Sequence, residues 1–254
     1  MKDYKIGIQL YSIRDALKQD FKGVCRELVK LGCDAVEPAF YFGDMEPAEL
    51  AAFFKEVGLK VCGIHGRAAD LADPASQIYD YAVALNAPFV TTSVCGDRAN
   101  KADYRDHEEE CIGICRAAGE GAAKRGLRFT YHNHDLELKK YADGNCGLDT
   151  VINSTDPANV GFELDVYWVK KGGQDPVEYI KKQGSRIWQL HMKDMAEDGS
   201  ITELGNGNVD LAGCIKAAEN IPAEWLIYEQ DYSKIDPFES AVISLTHLRK
   251  LLGK

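Results

Sequence analysis

The chain has 254 residues, 45% of them hydrophobic, and a formal charge of −10 at pH 7. That length and apolar content suffice for one large core in a single domain, while the acidic balance without a Lys/Arg cluster argues against a nucleic-acid partner. No apolar run approaches the length that spans a bilayer, and the amino end enters a strand-like pattern without a signal peptide, so the expectation is a cytoplasmic protein with no membrane partner.

In chain order, short β-rich runs alternate with longer amphipathic runs, the order that builds a parallel sheet from βα units. Strands are predicted at Lys5–Tyr11, Ala35–Pro38, Lys60–His65, Phe89–Val94, Arg128–Asn133, Val160–Asp165, Ile187–His191 and Leu226–Glu229. Helices are predicted at Phe21–Leu31, Pro47–Val57, Pro74–Leu85, Tyr104–Arg125, Gly147–Ile152, Pro176–Gln183, Leu211–Ala218 and Pro237–Leu252. Gly32, Gly58 and Gly126 each follow a helical pattern and suit left-handed C-caps, and Asp175-Pro176 and Asp236-Pro237 read as N-cap plus first-turn proline. No Pro/Gly/Ser-rich linker divides the chain, so residues 1–254 are expected to form one (β/α)8 TIM barrel. The segments Leu138–Cys146 and Met195–Asp210 read as loops on the face where βα connections build active sites.

Eight cysteines (Cys25, Cys33, Cys62, Cys95, Cys111, Cys115, Cys146, Cys214) lie in apolar segments without C-x2-C spacing, and all are expected to be reduced. Cys111 and Cys115 share a helix face, which packing alone explains.

The polar residues fall at the carboxyl ends of otherwise apolar strands: Gln9, Glu37, His65, Ser93, His132, Asp165, His191 and Glu229. In a closed barrel those ends meet at one mouth. Gln9, Glu37, His65 and Ser93 also suit a merely polar rim. As a set, however, so many ionisable groups at one mouth require pairing, hydrogen bonds or a cation. His132, Asp165, His191 and Glu229 make the best ligand set for one divalent metal ion. Two imidazoles and two carboxylates suit Mn, Zn, Co or Fe better than Mg, and the lack of thiolates argues against a closed structural zinc site.

The segments Ile8-Gln9-Leu10-Tyr11-Ser12, Tyr131-His132-Asn133-His134-Asp135, Glu163-Leu164-Asp165-Val166-Tyr167-Trp168, His191-Met192-Lys193-Asp194, Leu204 to Asp210 and Tyr228-Glu229 follow in order. With them the chain resembles the xylose isomerase-like barrel superfamily, which includes sugar phosphate isomerases and epimerases, inosose dehydratases and endonucleases of the AP endonuclease family 2 type. The resemblance implies a divalent cation held by a fifth-strand carboxylate, a sixth-strand aspartate, a seventh-strand histidine and an eighth-strand glutamate. Asp165, His191 and Glu229 match. The fifth-strand position departs, since His132 stands where the family's glutamate is expected. Family barrels are often dimers or tetramers, and the helical faces here do not decide whether this chain is a homo-oligomer.

The implied activity is metal-dependent isomerisation or epimerisation of a sugar or ketosugar through an enediolate-type intermediate. A cation on a carbonyl and its neighbouring hydroxyl acidifies the adjacent C–H, and Glu229 or a histidine takes the proton. Inverting a carbon needs groups on both faces; without a fifth-strand glutamate, His132, His134, Glu137 or Lys193 remains as the second group. The alternative is a lyase or dehydratase removing water or an alcohol from a keto-sugar such as a 3-keto-glycoside, and a third reading is a non-catalytic sugar-binding barrel. A DNA-repair endonuclease fits the net charge poorly. Lys193 lies in phase with His191, with a salt bridge to Asp194 or Glu163 as its bland alternative. Glu163 is expected one layer below Asp165, orienting a ligand. Tyr11, Trp168 and Phe40 suit an apolar wall for the sugar, or ordinary packing. With Gln9, Glu37 and His65, Tyr11 and Trp168 complete the expected carbohydrate-binding set. Gly205-x-Gly207 lacks a dinucleotide fingerprint and reads as a turn into a helix capped by Asp210; without an evident anion-binding cluster an unphosphorylated sugar or ketosugar is expected, with a helix terminus in a βα loop as the alternative holder of a phosphate.

Overall fold

A computed structural model describes residues 2–93 and 104–254. Val94 and Cys95, assigned above to a strand end and a reduced thiol, lie outside the described residues. Among the described residues, eight parallel strands form the barrel: β1 (Lys5–Gln9), β2 (Ala35–Glu37), β3 (broken into Lys60–Val61 and Ile64–His65), β4 (Phe89–Ser93), β5 (Arg128–His132), β6 (Val160–Asp165), β7 (Ile187–Met192) and β8 (Trp225–Tyr228). Their order in the sheet follows the chain, with β8 beside β1. The ring closes through β3, whose first piece pairs with β2 and whose second pairs with β4.

Two irregularities decide which side chains face inward. Strict alternation cannot put Cys62 and His65, three residues apart, on one face. The break at Cys62-Gly63 does so: Cys62 joins the apolar interior while His65 reaches the mouth. In β7, Trp188 is an extra residue opposite β6, where Phe162 pairs with Ile187 and Glu163 with Gln189. This bulge lets Trp188 fill the barrel floor and still leaves Gln189 and His191 facing inward. Gly161 makes room for it, since a Cβ there would lie 2.1 Å from Trp188 Cδ2.

The interior is layered. At the amino end of the strands, Ala35, Cys62, Phe89, Trp188, Trp225 and Ile227 form an apolar plug. Above it Thr91, Thr130 and Gln189 are hydrogen-bonded, Thr130 Oγ1 donating to Gln189 Oε1 at 3.0 Å. Ionisable groups then fill the carboxyl end. The larger apolar core lies between the outer face of the sheet and the helices, with Ile6, Ile8, Val90, Phe129, Phe162 and Leu190 among its buried strand residues.

Helices Pro47–Val57 and Pro176–Gln183 coincide with expectation. The caps do too: Gly32, Gly58 and Gly126 have φ of 72°, 81° and 72°, and Asp175, Asp236 and Asp210 accept hydrogen bonds from the first turns of their helices. Elsewhere the elements differ. β1 stops at Gln9 and turns into a 3-10 segment, Leu10–Ile13, so Tyr11 is not a strand residue. The next helix starts early, at Arg14, and is broken at Asp20. The helix expected at Pro74–Leu85 spans only Ile78–Ala84, and an unexpected short helix, Ala68–Ala72, precedes it. An unexpected helix, Val166–Lys171, follows β6. The expected loop after β7 contains a small antiparallel hairpin, Asp194–Met195 with Ile201–Thr202. No described helix is long and apolar enough to cross a membrane. The seven described cysteines are buried and form no disulfide among themselves.

Candidate active site

Asp165 shows how local sequence sets the site. It ends β6 and caps helix Val166–Lys171, its Oδ1 accepting from Trp168 N at 2.9 Å. Asn133, just past β5, accepts from Asp165 N at 2.9 Å, tying the two strand ends together. With Oδ1 committed to the cap, Oδ2 is the oxygen near Lys193 Nζ (3.0 Å) and His132 Nε2 (3.9 Å).

His132, Asp165, His191 and Glu229 offer donor atoms all within 4.8 Å of one another, and all four residues are buried. Glu229 Oε2 lies 3.0 Å from His191 Nδ1 and 3.9 Å from His132 Nε2. The opposite ring nitrogens, His132 Nδ1 and His191 Nε2, each lie 3.1 Å from Glu163 Oε2. Glu163 therefore fixes both imidazoles from below. The same opposite nitrogens, with His65 and Glu163, form a second group close enough for an ion. The two positions use the same two rings, and the upper one brings two carboxylates to a dication.

The donor set fits such an ion chemically. Glu37, Glu163, Asp165 and Glu229 are buried carboxylates, and the buried ammonium of Lys193 meets only the last two of them. A dication needs its imidazole donors neutral, so its charge would stand in for that of protonated rings among these carboxylates, and Asp165 Oδ2 has no hydrogen-bond partner of its own beyond the ion pair with Lys193. Burial pushes the Asp165 carboxyl up, against the pull of Lys193 and His132, to a position above its ordinary value. Burial also opposes ionisation of Glu229 and Glu163, but Lys193 with His191 holds the first well below the carboxylate range, and His191 with His65 holds the second there. Burial disfavours a charged His65, yet Glu37 and Glu163, at 2.8 and 2.6 Å from its Nε2, raise it to about 10.

A cavity of about 220 Å3 opens above, lined by Gln9, Tyr11, Phe40, His65, Ser93, His132, His134, Glu229 and Asp231. Drug-sized pockets run to ~300–1,000 Å3, so this one suits a single small ring. Gln9, Tyr11 and His65 thus reach it. Glu37 does not line it: fully buried, it accepts from Gln9 Nε2 at 3.3 Å and supports His65. Trp168 backs His134 at 5.0 Å between ring centroids and is not among the lining residues. Glu137 is also outside the lining, its Oε1 accepting from Tyr131 Oη at 2.7 Å and His134 N at 3.2 Å. A carboxylate holding the His134 loop in this way is a poor second proton-transfer group.

Lys193 pairs with neither Asp194 nor Glu163. Its Nζ lies among Asp165 Oδ2, Glu229 Oε2 and Asp231 Oδ2, at 3.0, 2.7 and 2.8 Å. Asp194 instead accepts from the N–H groups of Met195, Gly205, Gly207 and Val209 at 2.8–3.1 Å. The amides that a glycine-rich loop could offer to phosphate are occupied by this carboxylate. Sequence reasoning missed Asp231, which lies in the loop just past β8, two residues beyond Glu229, where strand periodicity gives no signal.

A family model described as "Xylose isomerase-like TIM barrel" matches residues 25–251. An inosose dehydratase of Clostridium botulinum is 27% identical over 153 residues, 52% of this chain and 50% of that one, so the chain spans about half the length of such curated relatives. In solved structures, a sugar phosphate isomerase/epimerase from Parabacteroides distasonis superposes with a TM-score of 0.82 at 22% identity, covering 98% of this chain and 94% of that one. The IolI protein with a bound zinc atom superposes with a TM-score of 0.76 at 14% identity, covering 98% of each chain. With that match across nearly its whole length and this barrel architecture, the chain belongs to the xylose isomerase-like TIM barrel family.

Proposed function

We propose that this chain is a divalent-metal-dependent carbon–oxygen lyase that eliminates water or an alcohol from a keto-sugar or a related keto-polyol. The observation that carries this reading is that an ammonium and a carboxylate share one side of the cavity, Lys193 Nζ lying 2.7 Å from Glu229 Oε2 and 2.8 Å from Oδ2 of the cavity-lining Asp231. Elimination next to a carbonyl needs a base for the α-proton and an acid for the departing oxygen, and a carboxylate beside an ammonium supplies both on one side of a substrate. Epimerisation needs acid–base groups on two faces, and β5 carries His132 instead of a carboxylate.

His132, Asp165, His191 and Glu229 would hold the ion; Mn, Zn, Co or Fe suits this nitrogen–oxygen set better than Mg. When bound, the ion supplies Lewis acidity toward the substrate carbonyl. Glu229 Oε2 faces the ligand side, and Oε1, outside those contacts on a cavity-lining residue, takes the α-proton. Lys193 gives its proton to the leaving oxygen. Gln9 and His65 hydrogen-bond hydroxyls from the floor, while Tyr11 and Phe40 cover C–H faces. The similarity to inosose dehydratases supports elimination, and the zinc in the IolI protein supports the ion.

His134, which lines the same cavity, supports a second reading as an isomerase or epimerase of a ketosugar. Elemental analysis of the wild type beside Asp165→Ala and Glu229→Ala, followed by NMR of keto-sugars and keto-cyclitols in D2O with metal-loaded protein, tests both. Stoichiometric metal lost in the variants, with release of water or alcohol and an unsaturated ketone, is the expected result. Metal with an isomer as product moves the assignment to the second reading; no metal even after reloading removes the mechanism.

A further inference from the structure

We propose that Asp231 is a positioning residue that retains Lys193 when a divalent cation takes Asp165 and Glu229. The inference rests on the metal reading above and concerns how this chain accommodates two cations at one pair of carboxylates. Lys193 Nζ lies 3.0 Å from Asp165 Oδ2 and 2.7 Å from Glu229 Oε2, the same oxygens that lie 3.9 Å from His132 Nε2. A metal ion bonds a carboxylate oxygen at about 2.0–2.2 Å. An ion between those oxygens and an ammonium against both of them would be near neighbours, in a region too buried for water to screen them. Lys193 therefore yields these contacts when the ion enters.

Its third partner remains. Asp231 Oδ2 lies 2.8 Å from Nζ, and Asp231 is on the cavity side, its side chain 28% exposed where those of Asp165 and Lys193 are fully buried. Asp231 belongs to no group of potential ion ligands among the described residues. Its backbone is fixed: Arg14 Nη1 donates to Asp231 O and to Tyr11 O, each at 2.8 Å, and Gln230 N donates to Ser12 Oγ at 3.0 Å. The carboxylate is thus a fixed anchor toward which the flexible lysine stem can turn, with the Trp168 ring 5.3 Å from Nζ alongside. What changes is the set of carboxylates that Lys193 touches. The move carries the ammonium toward the cavity, where a leaving oxygen would lie.

The test is a double-mutant cycle on Mn2+ affinity, read by electron paramagnetic resonance of free Mn2+, with Lys193→Met, Asp231→Asn and the pair. Removing the competing ammonium in Lys193→Met tightens Mn2+ binding by about tenfold or more, and removing its anchor in Asp231→Asn loosens binding by about tenfold, within the range known for residues that act behind a ligand. In the Lys193→Met background, Asp231→Asn changes affinity by less than about twofold, because Asp231 acts through Lys193. Asp231→Glu keeps the carboxylate and restores affinity to within about threefold of wild type. Lys193→Gln replaces the methionine variant if the latter does not fold. An equal loss from Asp231→Asn with and without Lys193 overturns the inference, because Asp231 would then act directly on the ion. Unchanged or weaker binding in the Lys193 variants overturns it as well. No Mn2+ binding in any variant or in wild type overturns the metal reading and this inference with it.

Discussion

Glu163 Oε2 lies 3.1 Å from His132 Nδ1 and 3.1 Å from His191 Nε2, so one buried carboxylate on β6 orients imidazoles from both neighbouring strands. Their other nitrogens are thereby presented to Asp165 and Glu229. Glu163→Gln is expected to weaken metal binding about 10- to 100-fold, whereas Glu163→Ala also destabilises the fold, by about 3–5 kcal/mol, because buried imidazoles lose their partner. Metal titration and urea unfolding measure the two effects. Unchanged affinity in Glu163→Gln would leave Glu163 as a core ion-pair partner only.

Phe40 is a bulky residue at φ 61° with 45% of its surface exposed, packed edge-on to Tyr11 at 6.2 Å beside the cavity. Both the left-handed backbone and the exposed ring are unfavourable for folding, which is expected of a residue kept for its contact with a ligand. Asn tolerates this conformation, so Phe40→Asn is expected to keep its stability within about 1 kcal/mol. Its KM for a ring substrate rises about tenfold with kcat nearly unchanged, the pattern of lost uniform binding. Steady-state kinetics beside thermal unfolding checks this; a fall in kcat alone would speak against a binding wall.

Gly161→Ala is expected to destabilise by about 1–3 kcal/mol or more, since its Cβ would enter the Trp188 ring that plugs the barrel floor. Denaturant unfolding of Gly161→Ala in wild-type and Trp188→Leu backgrounds measures this. A smaller loss in the second background identifies the clash; equal losses would place the cost in the backbone.

His65 makes stability pH-dependent at high pH. Its folded value of about 10 exceeds its ordinary 6.5, so the folded state binds the proton more tightly than the unfolded chain does. The stabilisation is complete below about pH 6.5 and is lost as pH rises through about 10; at about 1.4 kcal/mol per unit it amounts to several kcal/mol. Urea unfolding from pH 6 to 10.5 should show wild type losing more stability than His65→Gln. Parallel curves for the two proteins would remove His65 as the source.

The βα order and the polar residue at each strand's carboxyl end are written in the sequence, because they follow from local periodicity and capping chemistry. The cap glycines and Asp175, Asp210 and Asp236 were legible for the same reason, and His132, Asp165, His191 and Glu229 could be grouped once ring closure was assumed. Pairing and depth were not legible. A period of two cannot register the break at Cys62-Gly63 or the extra Trp188 in β7, because a bulge depends on what the neighbouring strand leaves open. Nor can a linear chain tell that Glu37 sits beneath His65, that Glu137 is occupied by Tyr131 and His134, or that Asp194 holds loop amides. Lys193 shows the difference most sharply: its sequence neighbour is Asp194, yet it lies among Asp165, Glu229 and Asp231. Local periodicity is enough to place these groups at the mouth of the barrel; which of them meet follows from closure of the ring and from the need of buried charges for partners out of water.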